Sequence, residues 1–92
     1  MKEDELLAAL QTRIGLKITT LRKEKGYTSH EDFAHEHDIP RMQYWRIEKG
    51  KTNLTLRTLT KILLIHGLTI EQFFASLPKE SRKTARSTKE CP

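Results

Sequence analysis

Cysteine occurs once in the 92 residues, at Cys91 near the end of the chain. That leaves no disulfide framework and no cysteine-based metal site. No apolar run approaches the roughly 18 residues of a membrane-spanning helix. The opening M-K-E-D-E is acidic before its leucines, unlike a secretory signal. A soluble, cytoplasmic protein is the expectation, with no membrane partner. Runs of alternating β-branched residues are missing, which argues against a sheet. So are a phosphate loop, a Gly-x-Ser-x-Gly turn and any base paired with a nucleophile, so no enzyme is expected. His30, His35 and His37 invite a metal reading. His30 and His35 are five apart, however, and H-E-D-F-A-H has one residue more than the zinc motif H-E-x-x-H, whose histidines stack at i and i+4. No metal and no cofactor is expected, and His66 is assigned to packing beside a helix end.

Charge is plentiful, and its placement says more than the net +5. Residues 11–27 carry Arg13, Lys17, Arg22, Lys23 and Lys25 against Glu24, a balance of +4. Residues 28–40 hold Glu31, Asp32, Glu36 and Asp38, or −4, and residues 41–57 return to +4 through Arg41, Arg46, Lys49, Lys51 and Arg57 against Glu48. The end of the chain, 78–92, adds +3. Such segregation sets up a field with a direction, suited to binding a polyanion in one orientation. Solubility alone is the plainer account of the same charges.

Helical periodicity runs through the chain. Leu7, Leu10, Ile14, Ile18 and Leu21 recur at steps of 3, 4, 4 and 3, which predicts a first helix over about Met1–Lys25. Glu3, Asp4 and Glu5 suit its positive end and Gly26 its left-handed cap. Gly15 is its weak point: there the helix breaks or another backbone comes close. Ser29 is an N-cap for a second helix, with Asp32 completing a variant capping box. Asp38-Ile39-Pro40 ends that helix, and Pro40 opens a third, about Pro40 to Lys49. Tyr44 and Ile47 fall on one side of the third helix; Arg41, Met42, Trp45, Arg46 and Lys49 fall mainly on the other. A helix with one buried edge and an arginine-aromatic outer face suits the major groove of double-stranded DNA. Thr55 caps a fourth helix with Leu56, Leu59, Ile62 and Leu63 at helical spacing, continuing through Ile65 to a stop at Gly67. Thr69 to Gln72 forms a full capping box for a fifth, containing Ile70, Phe73, Phe74 and Leu77. After Pro78 the chain has no large apolar residue and reads as a disordered basic tail.

These segments resemble the phage-repressor helix-turn-helix family, also called the xenobiotic-response-element type. The matching residues are L-R-K-E-K-G at 21–26, Phe33-Ala34, Tyr44-x-x-Ile-Glu-x-Gly-Lys at 44–51, the leucine-rich helix at 56–65 and G-L-T-I-E-Q-F-F at 67–74. The resemblance implies an all-α, five-helix lambda-repressor-like domain over residues 14–77, a helical extension over 1–13 and the tail over 78–92. It gives a base-reading role to Arg41, Met42, Trp45 and Arg46. Trp45 has a second role open to it, covering the edge of the core. His30, Lys49, Lys51, Thr52 and Asn53 inherit phosphate contacts. For Gln43 three outcomes are open: a phosphate, an adenine edge or no contact. Arg22 and Glu48 match a partly buried ion pair that ties the first helix to the third. Three positions depart from the family pattern. The turn Gly26–Ser29 is one residue longer, Asp38 replaces a turn Gly, and Pro40 stands in the place of a Ser or Thr cap.

Two functions fit this reading. One is a sequence-specific DNA-binding regulator, a repressor acting as a homodimer. The other is an antitoxin-type module that neutralises a partner toxin and also regulates its own operon. The dimer contact has two candidate surfaces: the leucines at 6–10, favoured because they extend beyond the matched region, and the last helix with Ile70, Phe73 and Phe74.

Overall fold

The structure is a computed structural model that describes residues 2–78. Five helices follow one another: α1 (Glu3–Glu24), α2 (His30–Glu36), α3 (Arg41–Glu48), α4 (Leu56–His66) and α5 (Ile70–Ala75). Among the described residues there is no strand, and no helix is long and apolar enough to cross a membrane. The basic tail expected from residue 78 lies, beyond Pro78 itself, outside the described residues.

Three of the helices start where a side chain accepts their orphan amides. Ser29 Oγ accepts from Glu31 N at 3.0 Å and Asp32 N at 3.3 Å. Thr55 accepts from Thr58 N, and Thr69 and Gln72 exchange both bonds of a capping box. The box anticipated at Ser29 is only half made, because Asp32 sends no bond back; its side chain is one methylene shorter than Glu. Pro40 is the N-cap of α3 rather than its first residue, with an extended ψ of 129° and no side chain to offer.

Four helices end alike. The residues Gly26, Asp38, Gly50 and Gly67 take positive φ, and two reverse hydrogen bonds close each end. After α2 these bonds run from Ile39 N to Ala34 O at 2.9 Å and from Asp38 N to His35 O at 3.3 Å, the Schellman arrangement. Only the turn between α2 and α3 uses a residue other than glycine, with Asp38 at φ 59°. Lys61 Nζ donates to the Asp38 carbonyl at 3.0 Å, fastening this turn to α4.

The core draws on every helix. Ile18 and Leu21 come from α1, Phe33 and Ala34 from α2, Tyr44 and Ile47 from α3, Leu59, Ile62 and Leu63 from α4, and Phe73 from α5, with Ile39 from the turn. Phe33 is the hub. Tyr44 stacks on it at 5.0 Å, His66 at 5.5 Å, and Tyr27 meets it edge-on at 5.2 Å. Of the four residues spaced along α4, Leu59, Ile62 and Leu63 are buried. Leu56 is 80% exposed, because it occupies the first turn, which projects past the core.

α1 runs unbroken through Gly15. A methyl added there would lie 2.5 Å from the Glu48 carbonyl oxygen and 2.7 Å from that of Ile47. Of the two roles open to Gly15, the close approach is the one realised, since only a hydrogen lets the end of α3 pack onto α1.

Candidate nucleic-acid interface

α3 has a bound side and a free side. Tyr44, Ile47 and Glu48 are buried, while Arg41, Met42, Gln43, Arg46 and Lys49 are exposed. Trp45 lies between, half-buried at the edge. The polar loop that follows, from Gly50 to Asn53, returns along α1. Gly50 packs against the backbone of Thr12, and Gln11 Nε2 donates to Asn53 Oδ1 at 2.7 Å. Lys51 is exposed beside half-buried Thr52. His30, the first residue of α2, is half-buried.

The inner end of α3 is held by a charge pair. Arg22 Nε donates to Glu48 Oε2 at 2.7 Å and Arg22 Nη2 to Oε1 at 3.2 Å, a two-pronged contact. Arg22 Nη1 also donates to the Tyr27 carbonyl at 2.9 Å. The side chains are only 7% and 5% exposed. The bond to Glu48 raises the Arg22 pKa, against the opposing effect of burial. Burial, and then the neighbouring Glu48 carboxylate, push the Tyr44 phenol far above its ordinary range. It stays neutral and acts as a packing group.

The outer end carries a second pair. Arg41 Nη1 donates to Glu31 Oε2 at 3.0 Å, with both side chains more than half exposed. Sequence reasoning missed this contact, and two others: Gln11 with Asn53, and Lys61 with the Asp38 carbonyl. The acidic segment beside the basic one hinted at the first. Their sequence separations of 10, 42 and 23 residues gave no local pattern by which to find any of them.

Among the described residues no group of three or more His, Cys, Asp and Glu side chains is placed to hold a metal. Two of the histidines pack on the core, while His35 is exposed. His66 and His37 flank Phe33, each with a buried Nε2 that has no hydrogen-bond partner among the described residues. Burial, reinforced by Lys25 and His37, lowers the His66 pKa.

A groove of about 200 Å³ lies between α1, the loop after α3, α4 and α5, with Thr52 and Asn53 of that loop in its lining. Leu7 and Leu10, Leu56 and Phe74 line it, so the leucine stripe and the last helix share one apolar surface. Phe73 is not part of that surface; it is fully buried in the core.

Comparison with known proteins agrees with this fold. A helix-turn-helix family profile matches residues 18–73. The control protein C.MunI of Mycoplasma sp is 41% identical over 71 residues, covering 77% of this chain and 96% of that protein. The plasmid copy control protein CopR of Streptococcus agalactiae is 37% identical over 51 residues, 55% of each chain. No solved structure gives a significant match. With α2 and α3 joined through the Asp38 turn inside the matched segment, the chain belongs to the helix-turn-helix family of phage-repressor type, a family of DNA-binding transcriptional regulators.

Proposed function

We propose that this protein regulates transcription by recognising a specific duplex sequence, and that α3 reads it in the major groove. One observation carries the reading. The helix is fixed to the core by Tyr44, Ile47 and Glu48, yet its other side stands open with two arginines, Met42 and Gln43. Arg41, Met42, Trp45 and Arg46 read base edges, the arginines through guanine acceptors. His30, Gln43, Lys49, Lys51, Thr52 and Asn53 contact phosphates and set the register. The names of the two relatives, a control protein and a plasmid copy control protein, support a regulatory role. Repression follows where such a complex overlaps a promoter.

A single module with one recognition helix covers too few base pairs for selective binding, so the reading includes a homodimer on a two-fold site, its half-sites ~34–36 Å apart. The apolar groove is the dimer contact, and a second copy of this chain is its occupant. The pattern of α1 supports this choice: Glu3, Leu6, Leu10 and Lys17 share one side of the helix at helical spacing. Two copies of α1 packed antiparallel about Leu10 bring the acidic start of each against the basic segment of the other.

Selection of bound sequences from random duplex DNA tests the function. A two-fold consensus is the expected result. With roughly 6–10 phosphates contacted, log affinity falls against log salt with a slope of about −5 to −9. Recovery of no sequence, or a slope near zero, removes DNA as the ligand. Leu10→Glu, a change in the lining of the groove, tests the dimer in sedimentation, with half the mass expected; undiminished mass assigns the groove to another partner.

A further inference from the structure

We infer that Glu31 determines specificity, by holding the Arg41 guanidinium for a base edge and away from the phosphate backbone. The inference rests on α3 reading DNA and deepens it. Glu31 sits in the first turn of α2, where its amide is bonded to the Ser29 cap at 3.0 Å, so its backbone is well fixed. Arg41 is the first residue of α3, where a recognition helix presents its residues to base edges. The carboxylate and guanidinium meet at 3.0 Å across the two helices of the motif.

The fold does not need this contact. A lone pair this exposed contributes little to stability, and α2 is already joined to α3 by the Phe33–Tyr44 stack and by the Schellman turn. Its consequence lies at the interface. Arginine has five N–H donors on a rigid fork, and Glu31 engages Nη1, leaving the remaining donors for the paired O6 and N7 acceptors of a guanine. An arginine without such a partner turns readily to the nearest phosphate, which strengthens binding to every sequence alike. The Glu31 carboxylate opposes that in two ways. It fixes the rotamer of Arg41, and its own charge repels a phosphate from the site. Overall affinity is lower with Glu31 present, and discrimination is higher.

Four full-length proteins test this: the unchanged chain, Glu31→Gln, Arg41→Ala and the double variant. Affinities are measured for the selected site, for the same site changed at each base pair in turn, and for random duplex, over a range of salt. With Glu31→Gln, random duplex binds more tightly and the salt slope steepens by about 1, one more phosphate being contacted. Discrimination falls about tenfold at one base pair, within the range of a single bidentate contact. In the Arg41→Ala background the same change no longer alters discrimination at that pair. Unchanged discrimination in Glu31→Gln overturns the inference while DNA binding stands. So does an equal effect with Arg41 absent, which assigns Glu31 to general charge repulsion. If the unchanged chain selects no sequence, the reading of α3 fails and this role fails with it. A melting temperature within a few degrees of the unchanged chain separates either result from a folding defect.

Discussion

Two arginine–glutamate pairs attach to α3, one at each end, and their chemistry is the same. Arg22 and Glu48 are 7% and 5% exposed and joined at two points; Arg41 and Glu31 are 61% and 55% exposed and joined at one. The inner pair has lost its water, so each charge depends on the other. The outer pair keeps its water, and either partner is free to exchange the other for a nearby ligand. Burial decides that the first belongs to the fold, and exposure leaves the second free to act on a ligand.

Removing one inner partner gives the largest expected effect. Glu48→Ala leaves the Arg22 guanidinium buried and unpaired, at a cost of about 3–5 kcal/mol when burial is complete. The midpoint of thermal or denaturant unfolding falls accordingly, and an unchanged midpoint would place the pair in water. Gly15→Ala attacks the same end of α3 without touching a charge. Its methyl meets two backbone carbonyls that have little room to retreat, an overpacking cost of about 1–3 kcal/mol. Denaturant unfolding checks it, and Gly15→Ser should be at least as damaging.

Acid provides a third test, acting on the core between the two pairs. The folded state holds the His66 pKa below its ordinary value of 6.5, mainly by burial. The unfolded chain then binds the proton more readily, so this contribution is fully present above pH 6.5 and declines as pH falls below it. His66→Phe keeps the stack on Phe33 and should flatten the decline between pH 7 and 5, measured by thermal unfolding. A profile as steep as the original would assign the acid sensitivity elsewhere. The smallest expected change is in Glu31→Gln, which breaks the outer pair at a cost of about 0–1 kcal/mol. A loss comparable with that of Glu48→Ala would erase the distinction between the two ends.

The residues themselves disclosed much of the architecture. Periodicity gave five helices, and the caps at Ser29, Thr55 and Thr69 fixed where three of them start. These signals were legible because they act within one turn, between residues at most four apart. The turn at Asp38, with φ 59°, was marked only by the resemblance, in which Asp38 stands where the family has a glycine.

What the sequence determined by itself is local: helix type and order, the caps, the left-handed ends, and the division of α3 into an apolar edge and a basic-aromatic edge. Tertiary packing decided the rest, because it depends on distances between residues far apart in the chain. It turned Gly15 from a possible break into the seat for α3, and joined Leu7, Leu10, Leu56 and Phe74 into one groove while taking Phe73 into the core. It also set the burial of each arginine–glutamate pair. A sequence lists charges without their solvent, and solvent access is what makes Glu48 part of the scaffold and leaves Glu31 beside the open side of α3.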